Sequence, residues 1–375
     1  MAERPIRVLH ITMRWGEGRG GVKQFIRNAM DALPCDEYDQ RILAVGGVTG
    51  ETQGFNILGS VTNRTSPRAL LLAYFALTRR LKDISPDIVH IHCNNGLGFL
   101  YADAARRAGV SCRIVHSHNS ALGDDSRAKA MMDLILKGIF SSSPTNQVAC
   151  SEIAGTHMFG DGLYKVLRNG IDAEKFSFSS RNRYDIRAAL GIPECAPVLG
   201  HIGSGIPVKN TRMTISAFES FLSIDSSAHL ILIGDGTELA DLKKYAQSGT
   251  RANRIHFVGT VSDPWRYYSA LDVLMLPSFY EGLPICLIEA QANGLPCLVS
   301  DVVSAESDVT GIVQFESIQK TPEEWASCCA GILRANILEM RSDSRWGLAL
   351  ENAGFSLASL GNELIGLYGH EGVRA

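Results

Sequence analysis

LPSFYEGLPICLIEAQANGLPCLVSD, Leu276 to Asp301, is the stretch that decides the fold. The run DVLMLP that leads into it is apolar and short, which predicts a buried strand. A loop follows, holding Glu281, Gly282 and Leu283. A helix then starts near Pro284, because proline suits a first helical turn, where its missing N–H costs nothing. PCLVS reads as the next strand. Strand, helix and strand in this order make the repeating unit of a parallel sheet covered by helices.

The same rhythm extends in both directions. IRVLHI, RILAVG, DIVHIH, RIVHSH and QVAC read as strands, with helix candidates over 66–82, 97–108 and 126–140. The rhythm pauses over 160–182, in FGDGLYKVLRNGIDAEKFSFSSRNR, and resumes with VLGHIG, HLILIG, RIHFVG, DVLMLP and PCLVS. At 375 residues a second core is expected, since single cores stop growing near 250–300 residues. The expected fold class is therefore α/β, with two Rossmann-like, doubly wound domains facing a central cleft. Residues 1–172 form the first, 173–355 the second, and 356–375 a final helix packing across the interdomain face. Ligands of such sheets bind at the carboxyl ends of the strands.

Two carboxylates mark the Leu276–Asp301 unit. Glu281 precedes the helix and Glu289 lies inside it, at most ~12 Å along the axis at 1.5 Å per residue. The amides of Ile285 and Cys286 between them are uncapped donors at a helix N-terminus, a seat for phosphate. Carboxylate, amide seat, carboxylate matches the order sugar, pyrophosphate, ribose in a sugar nucleotide. Geometry alone equally allows Glu281 as loop surface and Glu289 as a solvated helix face.

A second glycine-rich turn follows the first strand. In WGEGRGGVKQF, Trp15 to Phe25, Gly16, Gly18 and Gly21 spell the dinucleotide pattern G-x-G-x-x-G. That pattern needs an acidic residue about 20 positions on to hold the ribose hydroxyls. The second strand, QRILAVGG (Gln40 to Gly47), ends without one. What remains is a turn, Gly20-Gly21, that lets backbone approach a ligand and opens a helix over Val22 to Leu33. An anion is favoured there.

Composition narrows the class. With 45% apolar and 20% charged residues, the mix is that of an ordinary globular protein. The amino terminus runs into a strand without a signal-like apolar segment, and the longest apolar run, Ala69 to Leu77, is far short of a membrane span. The nine cysteines include no C-x-x-C pair, so reduced thiols and a cytoplasmic location are expected. Residues 1–170 hold 20 Lys/Arg against 15 Asp/Glu, and residues 171–375 hold 16 against 24. The basic half suits an anionic membrane face, and equally ordinary surface variation. Nothing points to nucleic acid. His90, His92 and His116 alternate along strands, which suits packing or a cleft wall rather than a metal.

Set in order along the chain, the motifs resemble family 4 of the retaining glycosyltransferases, of the GT-B fold, and most of all the bacterial capsular and exopolysaccharide transferases. The E-x7-E element from Glu281 to Glu289 carries the resemblance together with HSHN (116–119), ACSEIAG (149–155), RNGIDAEKF (168–176), LGHIG (199–203), LIGDGTE (232–238) and FVGTVSD (257–263). It covers roughly residues 5 to 330.

The resemblance implies roles. Glu281 meets the donor sugar and Glu289 the nucleotide ribose. The Ile285 and Cys286 amides meet the phosphates, and Lys209 in PVKN is the cation on the pyrophosphate. His118 faces the donor sugar and the forming bond. Gly20 and Gly21 let backbone reach the β-phosphate, and the base lies near Val258 and Gly259. The partners implied are a nucleotide-sugar donor and a glycan acceptor, lipid-linked, at the inner face of a membrane. No D-x-D occurs in the chain, so no cofactor and no obligatory divalent metal are expected. In one place the chain departs from the family, which reads Gly-Arg where this sequence has Gly203-Ser204. Serine offers one neutral hydrogen bond in place of a charge, and Arg212 is the nearest candidate to compensate. The alternatives are a nucleotide-sugar epimerase or hydrolase on the same scaffold, which lacks a clear second acid–base pair, and a non-catalytic partner subunit, which only Ser204 favours.

Overall fold

Among the described residues of the computed structural model, twelve parallel strands fall into two six-stranded sheets. It describes residues 4–15, 20–48, 57–58, 67–119, 127–247, 252–334 and 341–369. The glycines at 16 and 18, and Arg64, lie outside the described residues.

The first unit takes the chain to Gly170, apart from Gly20, which groups with the second unit, and again from Leu357. Its strands are β1 (Ile6–Thr12), β2 (Tyr38–Ala44), β3 (Ile88–His92), β4 (Cys112–Ser117), β5 (Asn146–Ala149) and β6 (Lys165–Val166), in the order β2-β1-β3-β4-β5-β6. β3 is buried at every position, as a strand covered on both faces must be. One face carries Leu9, Ile11, Val89 and Ile91 against helices Pro67–Ile84 and Leu97–Arg107. The other carries Val8, Ile88 and Ile114 against helix Gly21–Ala32, whose Phe25, Ile26 and Ala29 are buried.

The last helix, Leu357–Tyr368, also belongs to this face. Leu360, Leu364, Leu367 and Tyr368 complete its core. Gly361 makes the approach possible, because a Cβ there would lie 2.6 Å from the carbonyl oxygen of Ala32. The sequence placed this helix across the interdomain face. The structure gives its buried side to the first unit, and the chain divides after Gly170 rather than after residue 172.

The second unit runs from Ile171 to Ser356. Its strands are β7 (Val198–Ile202), β8 (His229–Ile233), β9 (Ile255–Gly259), β10 (Val273–Leu276), β11 (Cys297–Ser300) and β12 (Val313–Glu316), in the order β12-β11-β10-β7-β8-β9. The chain builds outward from β7 through β8 to β9, then returns to the other side of β7 with β10. That reversal opens a crevice at the carboxyl ends of β7 and β10. In the first unit the reversal falls at β1 and β3. The strands read from the sequence are all present; β6 and β12 are additional. The helix expected from Pro284 spans Ile285–Ala292, with Pro284 at its cap position.

Candidate donor site and a buried histidine ladder

The reversal in the second sheet brings Lys209 and Glu281 together. Lys209 closes the one-turn helix Pro207–Lys209 after β7, and Glu281 lies in the loop after β10. The two loops are tied by main chain. The Phe279 amide donates to the Val208 carbonyl at 2.8 Å, and the Asn210 side-chain amide donates to the Pro277 carbonyl at 3.1 Å. Asn210 takes a left-handed conformation, φ 49°, which asparagine tolerates better than most residues. Lys209 Nζ then reaches Glu281 Oε1 at 2.5 Å, and Ser278 Oγ donates to the same oxygen at 2.8 Å. The side chains are only 16% and 11% exposed, so this pair is poorly screened by water. Burial works against the Lys209 charge, but Glu281 beside it more than offsets this and raises its pKa above the usual lysine value. His201 is pushed down to about 4, by burial and then by Lys209, so it sits neutral under the cation.

Glycines floor this corner. A Cβ on Gly234, at φ +134°, would meet the Gly203 carbonyl oxygen at 1.8 Å, and one on Gly236 would meet the Gly205 carbonyl oxygen at 2.3 Å. The loops after β7 and β8 therefore pack backbone on backbone. Gly205 N donates to Asp235 O at 3.1 Å and Glu238 N to Gly205 O at 2.9 Å. Ser204 lies in the first of these loops, half-buried, and its hydroxyl makes no hydrogen bond among the described residues. The stem of Lys209 passes nearby, its Cδ and Cε each 3.7 Å from where a Gly203 Cβ would be. Arg212 is turned elsewhere, its guanidinium 4.4 Å from the centre of the Tyr245 ring.

The helix Ile285–Ala292 starts beside Glu281 with no side-chain cap. Its first amides are thus available to an anion. Glu289, one turn inside, is 5% exposed and accepts a 2.6 Å hydrogen bond from the Tyr268 hydroxyl. It is not a solvated helix face. Val258 and Gly259 end β9; the carbonyl of Gly259, at φ 78°, accepts from the Gly234 amide at 2.9 Å. Gly282 and Leu283 complete the loop into the helix.

In the first unit His118 follows β4 directly. Its imidazole belongs to a ladder of five rings. Side chains two apart on a strand share a face, and parallel register sets His10 opposite His90 and His92 opposite His116. His118 Nε2 lies 2.9 Å from His92 Nδ1, His92 Nε2 lies 3.0 Å from His10 Nδ1, and His10 Nε2 lies 3.1 Å from Gln40 Oε1. A second branch joins His116 Nδ1 to His90 Nε2 at 3.1 Å and His90 Nδ1 to the Tyr368 hydroxyl at 2.8 Å. Phe25 covers the rings edge-on, 4.6 Å from His116 and 5.1 Å from His118 between centroids. Burial lowers every one of these imidazoles, His10 to about 4 and His118 to about 3, so all are neutral at neutral pH. The ring nitrogens of His10, His90 and His92, and of His92, His116 and His118, lie within 4.8 Å of one another. These are the groups among the described residues with spacing for a metal. Gly20 and Gly21 lie near the start of helix Gly21–Ala32, with open space where a Cβ would stand.

Sequence reasoning singled out His90, His92, His116 and His118 but missed His10 and Gln40. The period-two alternation in VLHIT and DQRI was the signal available, and only register could join it to β3 and β4. It also missed Ser278 and Tyr268, which lie outside the E-x7-E spacing.

Comparison with known proteins fits this geometry. Residues 182–313 match the family "Glycosyl transferases group 1" and residues 20–159 the "Glycosyl transferase 4-like domain". "Putative glycosyltransferase EpsF" of Bacillus subtilis (strain 168) is 29% identical over 353 residues, 86% of this chain and 87% of the relative. The Escherichia coli "UDP-Gal:alpha-D-GlcNAc-diphosphoundecaprenol alpha-1,3-galactosyltransferase" is 30% identical over 237 residues, 60% and 61% of the two chains. Among solved structures, Anabaena Alr3699/HepE in complex with UDP and glucose superposes with a TM-score of 0.77 at 17% identity, over 97% of this chain and 100% of that one.

Proposed function

Because the chain belongs to the family 4 type of GT-B glycosyltransferases and acts in polysaccharide or glycolipid synthesis, we propose a specific reaction for it. It moves a hexosyl group, with retention, from a nucleoside diphosphate sugar to a hydroxyl of a lipid-linked glycan, with a UDP-sugar favoured over a GDP-sugar. The observation that carries this reading is the Lys209–Glu281 pair beside the uncapped helix Ile285–Ala292, at the sheet reversal where such folds bind ligands. The relatives' names support the donor and acceptor classes: one has UDP-Gal and a diphosphoundecaprenol-linked sugar in its name.

In the step, the bond from the anomeric carbon to the leaving phosphate oxygen breaks and a bond to the acceptor oxygen forms. The acceptor proton passes to the leaving phosphate on the same face. Lys209 and the Ile285 and Cys286 amides stabilise the charge that develops on the diphosphate. Glu281 meets the sugar hydroxyls while holding Lys209 in place, and Glu289, anchored by Tyr268, takes the ribose. Gly20 and Gly21 let main chain approach the β-phosphate, and Val258 and Gly259 back the base. We propose that Lys209 supplies this charge and that no divalent metal is obligatory.

One assay tests the reading. Purified protein is incubated with UDP- and GDP-sugars, with and without a diphospholipid-linked glycan, in EDTA, and products are read by mass spectrometry. Acceptor-dependent release of nucleoside diphosphate, with a lengthened glycan, is expected. Acceptor-independent release would identify a hydrolase, an isomeric nucleotide sugar an epimerase, and no turnover a partner subunit. Loss of activity in EDTA, restored by magnesium or manganese, would refute metal independence.

The acceptor reading also leans on a surface. No described helix is long and apolar enough to cross a membrane. Helix Pro67–Ile84 buries Ala73, Tyr74, Leu77 and Leu81 yet exposes Leu71, Leu72 and Phe75 beside Arg79, Arg80 and Lys82. Helix Arg127–Phe140 adds Met131, Leu134 and Ile139, each about 60% exposed or more. Apolar side chains flanked by cations are what a peripheral membrane contact requires. Co-sedimentation with anionic vesicles is expected at low salt, weaker at high salt; no binding at low salt would remove the claim.

A further inference from the structure

The histidine ladder has a direction. The Gln40 side-chain amide donates from Nε2 to the Met30 carbonyl at 3.3 Å, and a carbonyl can only accept. Gln40 Oε1 therefore faces His10 as an acceptor, and His10 must carry its proton on Nε2. Each neutral imidazole has one N–H and one lone pair. His10 Nδ1 is then an acceptor, so His92 donates from Nε2 and accepts at Nδ1. His118 must in turn donate from Nε2, which leaves the proton off its Nδ1. No hydrogen bond reaches that nitrogen among the described residues.

We infer that Gln40, His10 and His92 are positioning residues that hold His118 as its Nε2–H tautomer, so that His118 Nδ1 meets the substrate only as a hydrogen-bond acceptor. The inference rests on the reading of His118 as a substrate-facing group. A fixed acceptor selects a hydroxyl hydrogen and rejects a group that can only accept, as sites built to pair one hydroxyl do. The burial that keeps the rings neutral favours the arrangement, because a second proton on His10 or His92 would break the link that ring accepts, and one on His118 would remove the free acceptor. Phe25 packs edge-on over His116 and His118 and tilted against His92, with ring centroids 4.6, 5.1 and 5.5 Å apart. From the other side of the ladder the neighbours are His90, His116 and Tyr368, all neutral partners of the second branch. A metal on His92, His116 and His118, whose ring nitrogens lie within 4.8 Å of one another, is the competing arrangement, and zinc addition tests it.

Long-range 1H–15N correlation spectra of the full chain, labelled in its histidine rings, read each tautomer without any assay. Protonated Nε2 and bare Nδ1 are expected at His10, His92 and His118, with couplings across the His118–His92 and His92–His10 hydrogen bonds. A proton on Nδ1 of His118, or loss of the ring N–H signals on adding one equivalent of zinc with the bonds replaced by metal ligation, would overturn the inference. In Gln40→Leu the ladder loses its fixed end, and a mixture of tautomers at His118 is expected; an unchanged single tautomer would also overturn it. The functional arm uses donor sugars in which one hydroxyl at a time is replaced by fluorine, which accepts but cannot donate. At one position the wild type should lose about tenfold or more in kcat/KM, and Gln40→Leu should lose clearly less. If the tautomers stand as stated and no position discriminates, the ladder holds and the placing of His118 at the substrate fails instead.

Discussion

In Lys209→Met, kcat/KM falls by about a hundred- to a thousandfold, the usual loss when one preorganised donor to a developing anion is removed. Two effects combine. The leaving diphosphate loses the Lys209 cation in the corner formed by the loops after β7 and β10. Glu281, 11% exposed, keeps the Ser278 hydroxyl as a donor to Oε1 and turns a neutral pair into a negative charge beside the phosphates. Unpairing a buried charged group also costs stability, by about 1–3 kcal/mol or more. Glu281→Gln alone should cut turnover at least about tenfold, roughly one lost charge-assisted contact to the sugar. The double variant separates the causes. Without the carboxylate, removal of Lys209 no longer strands a charge, so the double variant should be more stable than the two single losses predict. Urea unfolding and steady-state kinetics on the four proteins measure both terms. Additive stabilities would mean the pair is a surface contact, and wild-type rates in Glu281→Gln would remove Glu281 from the sugar site.

The pair also shows what could be read from the chain alone. The strand–helix rhythm is local, so the parallel sheets and the helix beginning beside Pro284 were legible. Order within a sheet is not local. Nothing in PVKN or in FYEG says that β10 lies beside β7, and only that adjacency brings residues 72 apart into contact. Glu289 was legible as a carboxylate inside a helix but not as a buried one, because its partner Tyr268 stands on another helix. In the ladder, alternation placed His90 and His92 on one face, while parallel register decided which rings they met; a one-residue slip would turn every ring to the opposite face. The apolar spacing of Leu360, Leu364 and Leu367 announced a helix. That it packs on helix Gly21–Ala32 depends on Gly361, whose missing side chain is a packing feature rather than a periodic one.

Ser204→Arg should tighten binding of the free nucleoside diphosphate by roughly 10- to 150-fold, or ~1.5–3 kcal/mol. Ser204 stands at the turn after β7, with its hydroxyl uncommitted among the described residues and the stem of Lys209 passing close to Gly203. A guanidinium there brings a planar pair of donors to phosphate oxygens, where serine brings one neutral donor. Arg212 does not fill the gap as placed, because its guanidinium lies over Tyr245 and would have to give up that contact. Turnover need not follow affinity, since tighter product binding slows release. The background of the test is the informative part. Lys209→Met should weaken nucleotide binding more in the wild type than in Ser204→Arg, because the arginine covers part of the lost charge. Titration calorimetry on wild type, both single variants and the double variant gives that coupling directly. Equal losses in the two backgrounds would mean the arginine and the lysine do not share a phosphate. Unchanged or weaker binding in Ser204→Arg would mean that the backbone at Gly203-Ser204 aims the residue away from the anion, and would leave the uncapped amides of Ile285 and Cys286 with Lys209 as the whole of the phosphate site.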